Sequence, residues 1–122
     1  MSTPRDEISA RLNAAEFDFV PAIDTMSAIC EDWFSGVQGF DRLAFDGDCM
    51  LVVTELAEAV EADRKNLPDT HIPDRPGRDV ELADALVRIL HLAAKYKLDL
   101  AGAFMAKMRY NLTRPVKHGK AY

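Results

Sequence analysis

The sequence predicts an all-α protein: a four-helix bundle with an extra short helix at its N-terminus. Three observations point there. Apolar residues recur at helical spacing nearly throughout, no stretch alternates apolar with polar, and prolines, glycines and acids stand where helices start and stop. "TPRD" opens the chain with Thr3 as N-cap, proline at the first helical position and an acid three residues after the cap, which predicts a short helix to about Glu16. Pro21 then starts a second helix, with Ile23, Met26, Cys30, Trp33 and Val37 along one stripe and Gly36 and Gly39 at its end.

Asp46 or Asp48 is positioned to cap the next helix, which runs to about Asn66 with Cys49, Val52, Val53, Leu56 and Val60 as its apolar face. "LPDTHIPDRPGR" at 67–78 holds three prolines and a glycine and reads as a loop. Asp79 is the expected cap of the following helix, with Leu82, Leu86, Ile89, Leu90 and Ala93 facing the core. Asp99 caps a last helix through Leu112, and Pro115 turns Arg114 toward extended backbone.

A chain of 122 residues supports one core, so a single domain over 1–122 is expected, with 1–20 as an N-terminal extension. The balance of 15 basic against 20 acidic residues, net −5, disfavours nucleic acid as a partner. No stretch approaches the roughly 20 apolar residues of a membrane span, and the charged N-terminus lacks the apolar core of a signal peptide. Cys30 and Cys49 form no metal-binding or disulfide pattern and read as small hydrophobes in a reducing compartment, so the expected location is cytoplasmic.

The informative feature is doubled. "LVVTELAEAVEADRK" and "DVELADALVRILHLA" each carry an acid, two apolar residues and a second acid: Glu55 with Glu58, and Glu81 with Asp84. Residues three apart on a helix share a face with Cβ atoms about 5–6 Å apart, so each pair can aim two carboxylates at one point. Two carboxylates about 5.5 Å apart repel by roughly 3 kcal/mol at an effective dielectric near 20. Facing helices would therefore demand a cation, protons or arginine, and hard cations such as Mg²⁺ take such oxygen ligands.

The competing reading is a solvated face. Glu81, Asp84, Arg88 and His91 lie opposite the apolar stripe, Asp84 can pair with Arg88, and Glu61 can pair with Lys65. A third feature favours the metal: Lys107, Asn111 and Arg114 share one face of the last helix, and Lys117, His118 and Lys120 follow in a glycine-containing tail. Carboxylate pairs and a basic end in an acidic protein suit a metal-bridged polyphosphate.

With these motifs in order, the chain resembles the MazG-like all-α nucleoside triphosphate pyrophosphohydrolases, whose signature is EExxE, a spacer and ExxD. Here it reads "TELAE", a spacer of 22 residues and "ELAD", and "KMRYNLTRPVKHGKAY" is similar to the family's C-terminal substrate-binding segment. The resemblance spans roughly residues 22–122. Thr54 stands where the family's first glutamate often sits, and Glu55 corresponds to the second acid of that doublet.

The resemblance implies hydrolysis of a nucleoside triphosphate, expected to be a deoxynucleotide, between its α- and β-phosphates, as nucleotide-pool housekeeping. It implies Mg²⁺, replaceable by Mn²⁺, on Glu55, Glu58, Glu81 and Asp84, with Glu58 as general base. Lys107, Asn111, Arg114, Lys117, His118 and Lys120 would hold the substrate, and Trp33 would stack on the base unless it packs in the core. It also implies a homodimer or homotetramer. His71 and His91 are expected to be uninvolved surface histidines. A di-iron carboxylate bundle is disfavoured because no ExxH occurs. A non-catalytic helical interaction module and a phosphoribosyl-ATP pyrophosphatase are the alternatives that stay open.

Overall fold

The computed structural model describes residues 1–39 and 42–115, and these are all-helical, with no strand among them. Four α-helices follow one another: α1 (Pro4–Glu31), α2 (Phe45–Lys65), α3 (Gly77–Lys95) and α4 (Leu100–Asn111), with a π-helical turn (Asp32–Val37) continuing α1. No helix among the described residues is long and apolar enough to cross a membrane. The contacts divide the chain into two compact units, Thr25–Leu98 and the pairing of Met1–Asp24 with Asp99–Tyr122.

The terminal unit opens with the expected capping box. Thr3 Oγ1 accepts from the Asp6 amide at 3.1 Å, and Asp6 Oδ2 accepts from the Thr3 amide at 3.0 Å. That bonding holds the Asp6 carboxyl below the ordinary carboxylate range. The separate short helix does not exist: α1 is one helix of 28 residues with Pro21 inside it. Proline is acceptable at a helix start but costs about 3 kcal/mol in an interior, so it was read as a start. No glycine or second cap falls between residues 4 and 31, so nothing else interrupts the helix.

In the same unit the Arg109 guanidinium donates to Glu16 at 2.8 and 3.2 Å and to Asn13 at 3.0 Å, and Phe19 lies 4.8 Å from Phe104 between ring centres. Ala101 and Met105, one turn apart on α4, are fully buried. Asp99 caps α4 as expected, accepting from the Gly102 amide at 3.0 Å. A Cβ at Gly102 would meet that carboxylate, which would have to turn aside.

The central unit is built on α2 packed against α3. Neither expected aspartate cap forms: Ala44 and Pro76 occupy the cap positions, while Asp46, Asp48 and Asp79 sit in the first turns, where the helix dipole favours them. Asn66 ends α2 in the left-handed region at φ 51°. The proline-rich loop then closes on itself. The Gly77 amide donates to the Leu67 carbonyl at 2.9 Å, the Asp69 amide donates to Arg75 O at 3.0 Å, and Pro68 faces Pro76 in an isolated antiparallel bridge.

The packing of α2 on α3 departs from the expected amphipathic faces on α2 and the first half of α3, while Leu90 and Ala93 of the expected α3 stripe are buried as read. Val53, Leu56 and Val60 of α2 and Leu82 and Leu86 of α3, read as core from their spacing, are all exposed by 43–58%. The faces turned inward carry Asp48, Glu55 and Ala59 on α2 and Ala85, His91 and Leu92 on α3, all buried. Periodicity finds two faces on a helix but not which one the chain itself covers. Here a carboxylate-bearing face is inside.

Candidate metal centre and adjoining cavity

Glu55 from α2 and Glu81 and Asp84 from α3 each place one carboxylate oxygen within 4.8 Å of the others. Glu55 is buried because it lies seven residues from Asp48 and four from Ala59, along the row of α2 that meets α3. Glu58, one turn further, lines the same cavity of about 590 Å³ without joining the tight triad. The four carboxylates named from the sequence therefore border one space; of the residues read as a solvated face, His91 is buried, Glu81 and Arg88 are half-buried and Asp84 is exposed.

The electrostatics are those of acids crowded together. Burial, then hydrogen bonding and repulsion from Glu55 and Glu58, push the Glu81 carboxyl up to about 8. Burial and the Glu55 charge raise Asp84 as well. Burial would raise Glu55 too, but a proton shared from Glu81 and the Arg88 guanidinium leave it below the usual range. Arg88 Nε donates to Glu55 Oε1 at 2.9 Å, in place of the Asp84 pairing that the sequence allows; the Glu61–Lys65 pair forms as expected at 2.7 Å.

Glu81 Oε2 is buried and receives no hydrogen bond among the described residues. A buried acceptor in that state needs a proton or a cation. Oxygens sharing one Mg²⁺ at 2.0–2.1 Å lie about 3–4.2 Å apart, so a triad within 4.8 Å needs only a small contraction. The donor set, all carboxylate oxygen, suits a hard divalent ion.

The loop after α2 walls this cavity with Asp69, Thr70, His71 and Ile72. Asp69 is buried and its Oδ2 accepts from the Ile72 and His71 amides at 2.8 and 2.9 Å, which holds it below the ordinary range and fixes the loop. His71 thus borders the acidic space, although the sequence placed it on an indifferent surface. Asp69 two residues earlier, a loop-forming Asx residue, is the one local signal that this histidine would be held in place.

A second cavity, of about 610 Å³, shares Glu55 and Asp84 with the first. Its walls include Trp33 and Phe34 from the π-helical turn, Arg88 and His91 from α3, and Asp48 from α2. Trp33 is half-exposed here and is not a core residue. Phe34 stacks on His91 at 4.5 Å and 30°, with the Arg88 guanidinium 5.6 Å from the centre of the Phe34 ring. His91 is buried, with Nε2 2.8 Å from Glu31 Oε2. At the far wall Asp48 Oδ2 accepts from Lys95 Nζ at 2.7 Å and from the Tyr96 hydroxyl at 2.6 Å, and both donors also reach Leu43 O. The Asp48 carboxylate raises the Tyr96 hydroxyl, keeping it a donor.

Asp48, Arg88 and His91 were not among the site residues read from the sequence. Their signal was spacing: Asp48 lies seven residues before Glu55, and Arg88 lies seven after Glu81 and four after Asp84. Lys107, Asn111 and Arg114 belong to the terminal unit, where Tyr110 takes Lys107 Nζ at 4.9 Å and the Arg114 guanidinium at 6.0 Å from its ring centre. Lys117, His118 and Lys120 lie outside the described residues. No family model matches the chain, and neither does any curated protein or solved structure.

Proposed function

We propose that this protein hydrolyses a nucleoside triphosphate, a deoxynucleotide by preference, at the α–β phosphate linkage to give a nucleoside monophosphate and pyrophosphate. The observation that carries the reading is the shared wall. Glu55 and Asp84 face an acidic cavity on one side and an aromatic-walled one on the other, which suits a ligand with a polyphosphate at one end and a base at the other.

Glu55, Glu81 and Asp84, with Glu58 beside them, would hold Mg²⁺ or Mn²⁺. Bound there, the ion supplies charge neutralisation for phosphate oxygens. Glu58 is outside the tight triad and so keeps a carboxylate oxygen to orient a water and accept its proton. Water adds to phosphorus as the bridging P–O bond breaks, and the pair of electrons leaves on the departing phosphate. Arg88 offers a bidentate fork at the shared wall, and Trp33 and Phe34 offer faces for a base. Lys107, Asn111 and Arg114, on the resemblance, add phosphate contacts. The active form on this reading is a homodimer or homotetramer.

The test is release of pyrophosphate from a panel of ribo- and deoxynucleoside triphosphates and phosphoribosyl-ATP, with and without Mg²⁺. Glu55→Gln is expected to lower kcat by at least 100-fold while the protein stays folded. Activity on phosphoribosyl-ATP alone would shift the substrate within the same chemistry. No Mg²⁺-dependent release from any of them, or release unaffected by Glu55→Gln, would overturn the proposal and leave a helical interaction module.

A further inference from the structure

Resting on that reading and sharpening it, we infer that Asp48 selects the base: the aromatic-walled cavity accepts nucleobases carrying an exocyclic amino group, which donates to Asp48 Oδ1. Asp48 is buried yet lines the cavity. Oδ2 is committed twice over, to Lys95 and to Tyr96. Oδ1 has no hydrogen-bond partner among the described residues. It is an acceptor, held by the two bonds on its twin oxygen, on a residue that lines the same cavity as Trp33 and Phe34.

The chemistry of that oxygen restricts what can sit against it. An ionised carboxylate only accepts, so the group it meets must donate. Lys95 already pairs with the carboxylate at 2.7 Å, so a neutral N–H is a sufficient partner for Oδ1. Cytosine, adenine and guanine each project an amino group beyond the ring. Uracil and thymine have one donor, the ring N3–H, set between two carbonyl oxygens. Turning that edge to Asp48 brings acceptors against an acceptor, and turning it away leaves Oδ1 buried and unpaired, a loss of about 1–3 kcal/mol or roughly 5- to 150-fold in affinity.

Three features distinguish this from a network that merely ties Leu43 to the end of α3. That job needs only Oδ2. It gives no reason for the second oxygen to stay open. Nor does it explain why the residue carrying it borders a cavity that Glu55 and Asp84 also line.

The experiment measures binding of CMP and UMP by calorimetry, alongside pyrophosphate release from CTP against UTP and ATP against ITP, in the wild type, Asp48→Asn and Tyr96→Phe. Wild-type protein is expected to bind CMP at least tenfold more tightly than UMP and to favour CTP and ATP by a similar factor. In Asp48→Asn the amide oxygen must take the place of Oδ2, because Lys95 and Tyr96 both donate there. The amide NH₂ then faces the cavity, and the preference is expected to move toward UMP by tenfold or more. Tyr96→Phe, which loosens the network without altering Oδ1, is expected to lower the melting temperature and keep the CMP:UMP ratio.

Equal binding of CMP and UMP by the wild type overturns the inference, whether or not Asp48→Asn folds. So does an Asp48→Asn protein that weakens both ligands equally. Discrimination between CMP and UMP without any pyrophosphate release would sink the hydrolase reading while the base selection stands. Release without discrimination would do the reverse.

Discussion

Glu81 is the residue under most electrostatic stress, and its stress has a measurable sign. Its carboxyl titrates near 8 in the folded protein against an ordinary value of 4.5, so between those limits the folded state binds a proton that the unfolded state has released. Stability must then fall as pH rises through that window. Asp84, also raised, acts in the same direction from lower pH, and the lowering of Glu55 acts below the window. The metal-free protein is therefore expected to melt at progressively lower temperature from pH 5 to pH 8. Millimolar Mg²⁺ should flatten the profile, because an ion on Glu81 Oε2 replaces the proton. Glu81→Gln should melt higher than wild type at pH 8, lose the pH slope, and show no response to Mg²⁺. Thermal melts at several pH values read all three. A profile rising with pH, or a Mg²⁺ response that survives in Glu81→Gln, would contradict the site.

At the scale of elements, the helical type is legible in the sequence, while the separate N-terminal helix is not, and the reasons for each departure are specific. Thr3, Asp99 and Asn66 act at helix ends because their side chains or backbones do local work that neighbours cannot override. Pro21 misleads because a proline signal is the same for a start and for a tolerated interior position. The carboxylate spacing was enough to expect Glu55, Glu58, Glu81 and Asp84 around one space, since it depends only on helix geometry. The faces of α2 and α3 were legible as faces but not as inside and outside. That choice depends on what else covers the helix. His71 and Asp48 were missed for different reasons: His71 is held by a loop that closes on its own prolines and Asp69, and Asp48 is drawn inward by Lys95 and Tyr96, distant in sequence.

The loop that delivers His71 to the acidic cavity closes on Gly77. A Cβ there would stand 2.9 Å from the Leu67 carbonyl oxygen and 3.0 Å from the Ala62 Cβ, neither of them the end of a flexible side chain. Gly77→Ala is expected to cost about 1–3 kcal/mol in urea denaturation despite alanine's better helix propensity. A neutral or stabilising result would mean that the loop gives way without strain.

For the molecule as a whole, the outward apolar residues of α2 and α3 carry a prediction about its state in solution. Met50, Val53, Leu56 and Val60 run along α2 at spacings of three, three and four, and Leu82 and Leu86 lie on α3, each half-exposed. Completing the burial of an aliphatic side chain that is already half covered gains about 1 kcal/mol. Six such residues on each of two protomers, in a self-complementary contact, give roughly 12 kcal/mol gross, which stands against an association cost of about 4–15 kcal/mol. Pairing is thus near balance on these residues alone and favoured once neighbouring surface joins the contact. The same packing that turns Asp48 and Glu55 inward leaves these aliphatic side chains outward. The protein is expected to sediment as a dimer or tetramer at micromolar concentration. Leu56→Glu with Val60→Glu, which exchanges two apolar residues for good or tolerable helix formers on the exposed face, should shift it to monomer while circular dichroism stays helical. The wild type running as a monomer at 100 µM, or the double variant holding the wild-type mass, would show that these faces are not what brings copies together.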